Sequence, residues 1–328
     1  MNRRSMVLLR LALIILCALP IAQARAESDQ SDKREPVRVI VPFPPGAGVD
    51  IVTRLIMSKL SVVTGQNFFI DNRSGASGTI GAADAARAKP DGYTLLAAPS
   101  SLATSESLYR NLSFKLEKDF SGIAMLASVP FILVTNPKVP ANSVAELIAL
   151  AKAKPNTLTF ASTGNGSAPH IAAEQFEIQA HIAMIHVPYR GTAPAMQDLI
   201  AGRVNLMFAN AVSVLPQIKA GLLKGLAVSS AQRSDSVPDL PTVAQAGLPG
   251  YESNTWFALV APRGTPATII ARLNAAVAKV LQMPDVQQML RAQGATTRAA
   301  TPQQVDAYMS SQVKLFADVV KRANITIN

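Results

Sequence analysis

Glycine gathers at three places where an apolar run gives way to a helical pattern: "VPFPPGAGVD" at 41–50, "NRSGASGTIG" at 72–81 and "STGNGSAPH" at 162–170. A glycine at a strand-to-helix turn lets backbone N–H groups approach a ligand with no Cβ in the way. The first turn of a helix adds unpaired N–H donors and a partial positive charge. Together these features hold anions. Hydrogen bonds to a charged group contribute roughly 1.5–3 kcal/mol each. Three or four around a carboxylate approach the ~8 kcal/mol of a micromolar complex, before ordering costs.

Catalytic chemistries find less to work with. "GASGT" around Ser77 resembles the G-x-S-x-G nucleophile turn, but Thr79 stands where the second glycine belongs. A serine hydrolase using Ser77 or Ser167 with His170 is therefore a remote alternative. The three histidines, His170, His181 and His186, include no i, i+4 pair, and the only cysteine is Cys17, so no metal centre is expected. "GAGVD" lacks the Lys-Ser/Thr of a phosphate-binding loop, and Gly75, Gly78 and Gly81 are spaced G-x-x-G-x-x-G. The pattern points to binding, with no enzyme activity and no cofactor.

The elements that must position these loops alternate along the chain. Strand-like runs are "VRVIVPF", "NFFID", "YTLLAA", "FILVTN", "TLTFAS", "IHVPY", "VNLMFA", "GLAVSS" and "WFALVAP". Helical spacing lies between them, as at Ile51, Val52, Leu55, Ile56 and Leu60, and at Ile269, Ile270, Leu273, Val277, Val280 and Leu281. Thr301-Pro302 opens a last helix with Val305, Tyr308, Met309, Val313 and Phe316 on one face. This rhythm predicts βαβ units and mainly parallel sheets flanked by helices, an α/β fold. Extended runs near 131–140 and 253–265, with no polar linker at mid-chain, predict two crossovers between two lobes and a ligand cleft between them.

The N-terminus reads as an export signal over 1–26. Arg3 and Arg4 precede an apolar stretch from Val7 to Leu19, and Ala24-Arg25-Ala26 supplies a small-residue cleavage site. Its apolar run is shorter than the ~20 residues that a membrane span needs. Cleavage removes Cys17, and an exported chain without disulfides suits a bacterial periplasm. The sequence holds 31 Lys+Arg against 21 Asp+Glu, and the leader takes four of those arginines with it. The remaining positive balance is spread without a basic cluster, which argues against nucleic acid and suits small anions.

Five segments then follow one another in the order and spacing of one family: "VIVPFPPGAGVDIVTRLI", "DNRSGASGTIGAADAARAKPDGYTLLAAPSS", "STGNGSAPHIAAEQF", "HVPYRGTAPAMQDLIAGRVNLMFAN" and "LPTVAQAGLPGYESNTWFALVAPRGTP". The chain resembles the Bug (Bordetella uptake gene) proteins, periplasmic solute-binding receptors of tripartite tricarboxylate transporters, over essentially all of residues 36–323. The resemblance implies a two-lobed, type II-like periplasmic-binding-protein fold, with lobe 1 over 36–131 and 255–328 and lobe 2 over 132–254. It implies capture of a di- or tricarboxylate or related acid, and membrane permease subunits as partners. A sensor kinase is the partner in an alternative, signalling role. By motif, the first-lobe binding set is Phe43, Pro44, Pro45, Gly46, Ala47, Gly48, Val49 and Asp50, with Ser100 and Ser101 on the wall. The second-lobe set is Ser162, Thr163, Gly164, Asn165, Gly166, Ser167, Ala168 and His170, joined by Tyr189, Arg190, Gly191, Ala209 and Asn210.

Departures from the family pattern shape further expectations. Ala47 and Val49 replace a glycine and a hydroxyl residue in the opening loop, so recognition there should lean on main chain and water. Ala209 stands where an aspartate is common, which favours an anionic or apolar-tailed acid over a cationic amino acid. Asp50 reads as a cap and loop-shaping residue, since it would repel a carboxylate it faced. Trp256 and Phe257 fit cleft wall or core equally, and Arg190 reads as a surface turn residue.

Overall fold

The run "VRVIV" forms β1 (Val37–Val41), whose alternate valines 37, 39 and 41 are buried on one face. The structure is a computed structural model describing residues 35–326, apart from 235, 236, 293 and 298. The export signal read at 1–26 lies outside the described residues. The chain continues through α1 (Gly48–Thr64), β2 (Phe68–Asn72), α2 (Thr79–Ala86), β3 (Thr94–Pro99), α3 (Ser101–Leu108), α4 (Leu116–Asp119) and β4 (Phe120–Thr135). Next come α5 (Val144–Ala153), β5 (Thr159–Ser162), α6 (Ala168–Ala180), β6 (Ile185–Pro188), α7 (Thr192–Ala201), β7 (Leu206–Asn210), α8 (Ala211–Lys219) and β8 (Lys224–Val228). The chain closes with β9 (Asn254–Pro262), α9 (Ala267–Leu281), α10 (Pro284–Ala292) and α11 (Pro302–Arg322). Among the described residues, no helix is long and apolar enough to cross a membrane.

The strands run in the order β2-β1-β3-β9-β4-β7-β5-β6, with β8 also on β4. Pairing is parallel within β2-β1-β3 and within β7-β5-β6, where helices make the crossovers. It is antiparallel wherever β9, β4 and β8 take part, so the sheet is mixed. The 16-residue β4 belongs to both lobes: Pro130 is its last partner to β9, and Phe131 its first to β7. A proline marks the change of ladder, and register shifts after Gly122 and Met125 bend the strand on its way there.

Each half of the sheet is covered on both faces. In the first lobe α1 and α9 bury Val52, Ile56, Leu60, Leu273 and Val277 on one side. On the other, Leu102 of α3 and Val305, Met309 and Phe316 of α11 cover it. In the second lobe Val144, Leu147 and Phe176 from α5 and α6 face one side, and Met196, Leu199 and Val214 from α7 and α8 the other. Thr301 and Gln304 form a reciprocal capping box that starts α11, with Pro302 in its first turn.

The first two-thirds of β4, "FSGIAMLASVP", has no place among the strand-like runs read from sequence. Small residues hide its pattern, and close helix packing requires them. A Cβ at Gly122 would lie 2.7–2.8 Å from Val305 Cγ1 and Cβ, and the Gly122 N–H donates to Asp306 Oδ1 at 2.7 Å. Gly122→Ala should therefore push α11 off the sheet and lower unfolding free energy by about 2 kcal/mol. A shift in the urea midpoint at unchanged m-value would register it.

Candidate functional site

The loops that leave β1 and β5 are built alike. After β1 the chain turns through Gly46 at φ +84°, is extended at Ala47 (φ −66°, ψ 154°) and begins α1 at Gly48. After β5 it turns through Gly166 at φ +71°, is extended at Ser167 (φ −66°, ψ 157°) and begins α6 at Ala168. A positive φ of this kind suits glycine, which explains the residue at both turns. In each loop the glycine N–H is held by the side chain four residues on. Gly46 donates to Asp50 Oδ2 at 2.9 Å, and Gly166 donates to His170 Nδ1 at 3.0 Å. Neither N-cap side chain caps its helix, which leaves first-turn N–H groups to water or an anion.

Asp50 is 2% exposed, and both its oxygens are engaged within its own lobe. Arg54 Nε donates to them at 2.9 and 3.0 Å, and Asn72 Nδ2 donates to Oδ1 at 2.9 Å while also reaching the Phe43 carbonyl at 2.9 Å. Burial pushes this carboxyl up, but the bonds from Arg54, Asn72 and Gly46 outweigh it and hold the pKa below the usual carboxylate value. The loop-shaping role expected of Asp50 matches these contacts.

His170 does the equivalent work in the second lobe. Its Nδ1 accepts from Gly166, so the ring proton belongs on Nε2, which faces Glu174 Oε1 at 3.1 Å; the tautomer is assigned from these partners. The ring stacks on His186 with centroids 3.7 Å apart, and His186 stacks on Phe160 at 4.9 Å. Burial, with His170 beside it, pushes the His186 pKa down to about 4. His186 Nε2 lies 2.6 Å from Ser162 Oγ, and that hydroxyl bonds both the carbonyl and the N–H of Gly164 at 3.1 Å. Ser162 is wholly buried, so this serine–histidine contact braces the loop and is shut off from any substrate.

A cavity of about 220 Å³ lies at the seam of the lobes. Gly48, Ile51 and Val52 of α1 form one wall, and Asn210 with Val212 and Ser213 of α8 form the facing one. Val129 of β4 and Thr255 and Phe257 of β9 close the base. The two loops named in the sequence are thus not opposed across this cavity. The helix facing α1 is α8, which follows Asn210, again with no side-chain cap. The loop at 163–167 meets the first lobe elsewhere, where a Cβ on Gly166 would strike Leu108 of α3.

Of the residues expected at the site, Gly48 and Asn210 share the cavity. Pro44, Pro45, Gly46 and Asn165 are exposed on their loops, while Ala47, Thr163, Gly164, Ser167 and Ala168 are half-buried. Ser167 Oγ is buried with no partner among the described residues. Phe43 packs beside Gly78, 3.1 Å from where a Cβ would stand, and Ser101 Oγ donates to the Ser77 carbonyl at 3.2 Å. The side chains of the other expected residues are placed as follows. Val49 points into the first-lobe core and Ala209 into the second-lobe core, so neither side chain faces the cleft. An aspartate lost at 209 is consequently not a carboxylate lost from this cavity. Ser100 is buried, its N–H donating to the Trp256 carbonyl at 2.9 Å. The Tyr189 hydroxyl donates to Asp198 Oδ2 at 2.8 Å; burial and that bond push its pKa up to about 12. Trp256 packs in the core on one face of the sheet and Phe257 in the core on the other, where it also walls the cavity, because neighbours on a strand face opposite ways. Arg190 is exposed in the turn before α7. Val212 and Ser213 escaped notice because their helix start carries no glycine; its signal was the strand "VNLMFAN" passing directly into a helical pattern.

Two lobes joined by shared strands, with a small uncharged cavity at their seam, define a two-lobed solute-binding protein. The chain belongs to the tripartite tricarboxylate transporter family of receptors, whose family model matches residues 52–325. It is 38% identical to the protein BugT of Bordetella pertussis over 288 residues, covering 87% of this chain and 88% of BugT. Among solved structures, Rpa4515 of R. palustris with adipate is 36% identical with a TM-score of 0.73, covering 90% of this chain and 99% of that one. MatC from Rhodopseudomonas palustris with bound malate is 33% identical with a TM-score of 0.68, covering 87% and 98%. The family is one of receptors, which is not a class of enzyme.

Proposed function

We propose that this protein is exported by cleavage after Ala26, captures a small organic carboxylate between its lobes in the periplasm, and presents it to a tripartite tricarboxylate-type membrane transporter. The observation that carries the reading is the pair of uncapped helix starts, α1 and α8, facing each other across an uncharged cavity. Backbone donors there suit a carboxylate, and the adipate and malate bound by the two relatives lend support. Lobes over 36–131 with 255–328 and over 132–254 fit the switch of β4 between sheets at Pro130–Phe131. Gly48 and Asn210 are the proposed main-chain grip, while the Ala47 N–H is held by the Pro44 carbonyl at 3.2 Å. The second-lobe loop from Ser162 to His170 closes on the ligand as the lobes shut.

Calorimetry with a panel of mono-, di- and tricarboxylates should find at least one acid bound at micromolar affinity or better. X-ray scattering should then show compaction with that acid alone, as population shift to a closed form requires. No heat with any acid, and scattering curves that superimpose across the panel, would sink the proposal.

A further inference from the structure

We infer that the protein carries a second small-molecule site, behind the strands that join the lobes, and that it takes an organic ammonium with an apolar body. A cavity of about 270 Å³ lies there. It is lined by Met125 and Ser128 of β4, Glu252 just before β9, and Gln304, Ala307 and Tyr308 of α11. Met125 and Tyr308 pack with the core on the face of the sheet that α11 covers. The cleft cavity uses the same two strands from the other side, where Val129 and Phe257 pack with the core under α1 and α9. The two cavities thus lie back to back and share no lining residue.

Charge selects the ligand. Glu252 is the one charged side chain among the described residues that line the rear cavity. Although exposed, it is held in place by two buried amides. Asn254 Nδ2 donates to Glu252 Oε1 at 3.0 Å, and Gln175 Nε2 of α6 donates to the Glu252 carbonyl at 2.9 Å. Both amides are short of donors in return, since Asn254 Oδ1 and Gln175 Oε1 are buried with no partner among the described residues. A carboxylate beside unanswered carbonyl oxygens repels an anion and suits a group made only of N–H donors. Tyr308 adds an aromatic ring to the lining, held edge-to-face against Trp256 with centroids 5.8 Å apart, and such rings attract cations. Met125, Ala300 and Ala307 supply apolar wall for the rest of the molecule.

Phenethylammonium and 2-phenylethanol share a carbon skeleton and differ only in ammonium against hydroxyl, so calorimetry with this pair isolates the charge. The ammonium should bind the wild-type chain with a Kd of about 1 mM or tighter, and roughly fivefold more tightly than the alcohol. Glu252→Gln keeps an acceptor for Asn254 and should erase the difference between the two. Ala307→Phe, at an exposed helix position, should fill the cavity and abolish binding of both. Each variant should melt at the wild-type temperature. Phenethylammonium binding that either substitution leaves unchanged, or that is no tighter than the alcohol, would overturn the inference. Absence of any binding to the wild type would do the same, and none of these results bears on carboxylate capture in the cleft.

Discussion

Asp50→Ala is expected to lower unfolding free energy by about 2–4 kcal/mol and to weaken carboxylate binding at least tenfold. The stability loss follows from what the carboxylate holds. Its two oxygens accept from Arg54, Asn72 and the Gly46 N–H at 2.9–3.0 Å, in a place that is nearly closed to water. Charge-assisted bonds of this kind are worth roughly 1.5–3 kcal/mol each in a buried setting, and the half-exposed Arg54 recovers part of its share from solvent. The binding loss follows from geometry. Gly46 at φ +84° needs its N–H fixed for Ala47 and Gly48 to present the helix start, and alanine at 50 leaves that turn free to relax. Asp50→Asn keeps one acceptor oxygen and should fall between the two, nearer the wild type in binding than in stability. Denaturant melts and calorimetry on the three chains would decide the matter. An Asp50→Ala protein with an unchanged urea midpoint would show that the network is dispensable.

Residue order carries part of this architecture, and three-dimensional neighbours carry the rest. Each of the nine strand-like runs overlaps a different one of the strands among the described residues, because β-branched and apolar clusters bounded by turn residues have few alternatives. The family could be read from long motifs, and the strand-to-helix loops from their glycines. What stayed hidden depends on three-dimensional neighbours. Gly122, Ala124 and Ala127 look like poor strand residues until α9 and α11 are laid against them. Ile51 was read as part of a buried stripe with Val52, Leu55, Ile56 and Leu60, and Val49 as part of the binding loop, yet Val49 is core and Ile51 lines the cleft. At 100° per residue the two lie about 200° apart, and nothing local says which of the two faces is buried. Position 209 misled for the matching reason on a strand, where a shift of one residue exchanges core for surface. Asn210 faces the cleft and Ala209 does not. The equivalence of Asp50 and His170 was also illegible, since an acid and an imidazole share no sequence signature. Both are acceptors four residues beyond a glycine of positive φ, and only geometry reveals the common task.

Glu177→Gln is expected to abolish an alkaline loss of stability that the wild-type chain shows. Glu177 is buried near the end of α6 and accepts a hydrogen bond from the Met184 N–H in the turn toward β6. Burial, with the Glu174 carboxylate adding repulsion, pushes its pKa from 4.5 up to about 8. Between those values the folded chain keeps a proton that the unfolded chain has released, so stability falls as pH rises through the window. His186 has the opposite sign. Its pKa drops from 6.5 to about 4, so in that interval the unfolded chain binds a proton that the fold refuses, and stability falls as pH drops. Where the windows overlap, the two effects oppose each other and leave a broad maximum near about pH 5–6. From pH 6 to pH 8, Glu177 removes about 2 kcal/mol, while His186, finally neutral in both states, returns about 1 kcal/mol. Glutamine offers Met184 the same carbonyl acceptor and has no proton to lose. The variant should therefore gain stability between pH 6 and pH 8, where the wild type declines, and the two urea midpoints should diverge steadily with pH. Parallel profiles would mean that Glu177 is already ionised in the fold, held there by its bond to the Met184 N–H against the cost of burial.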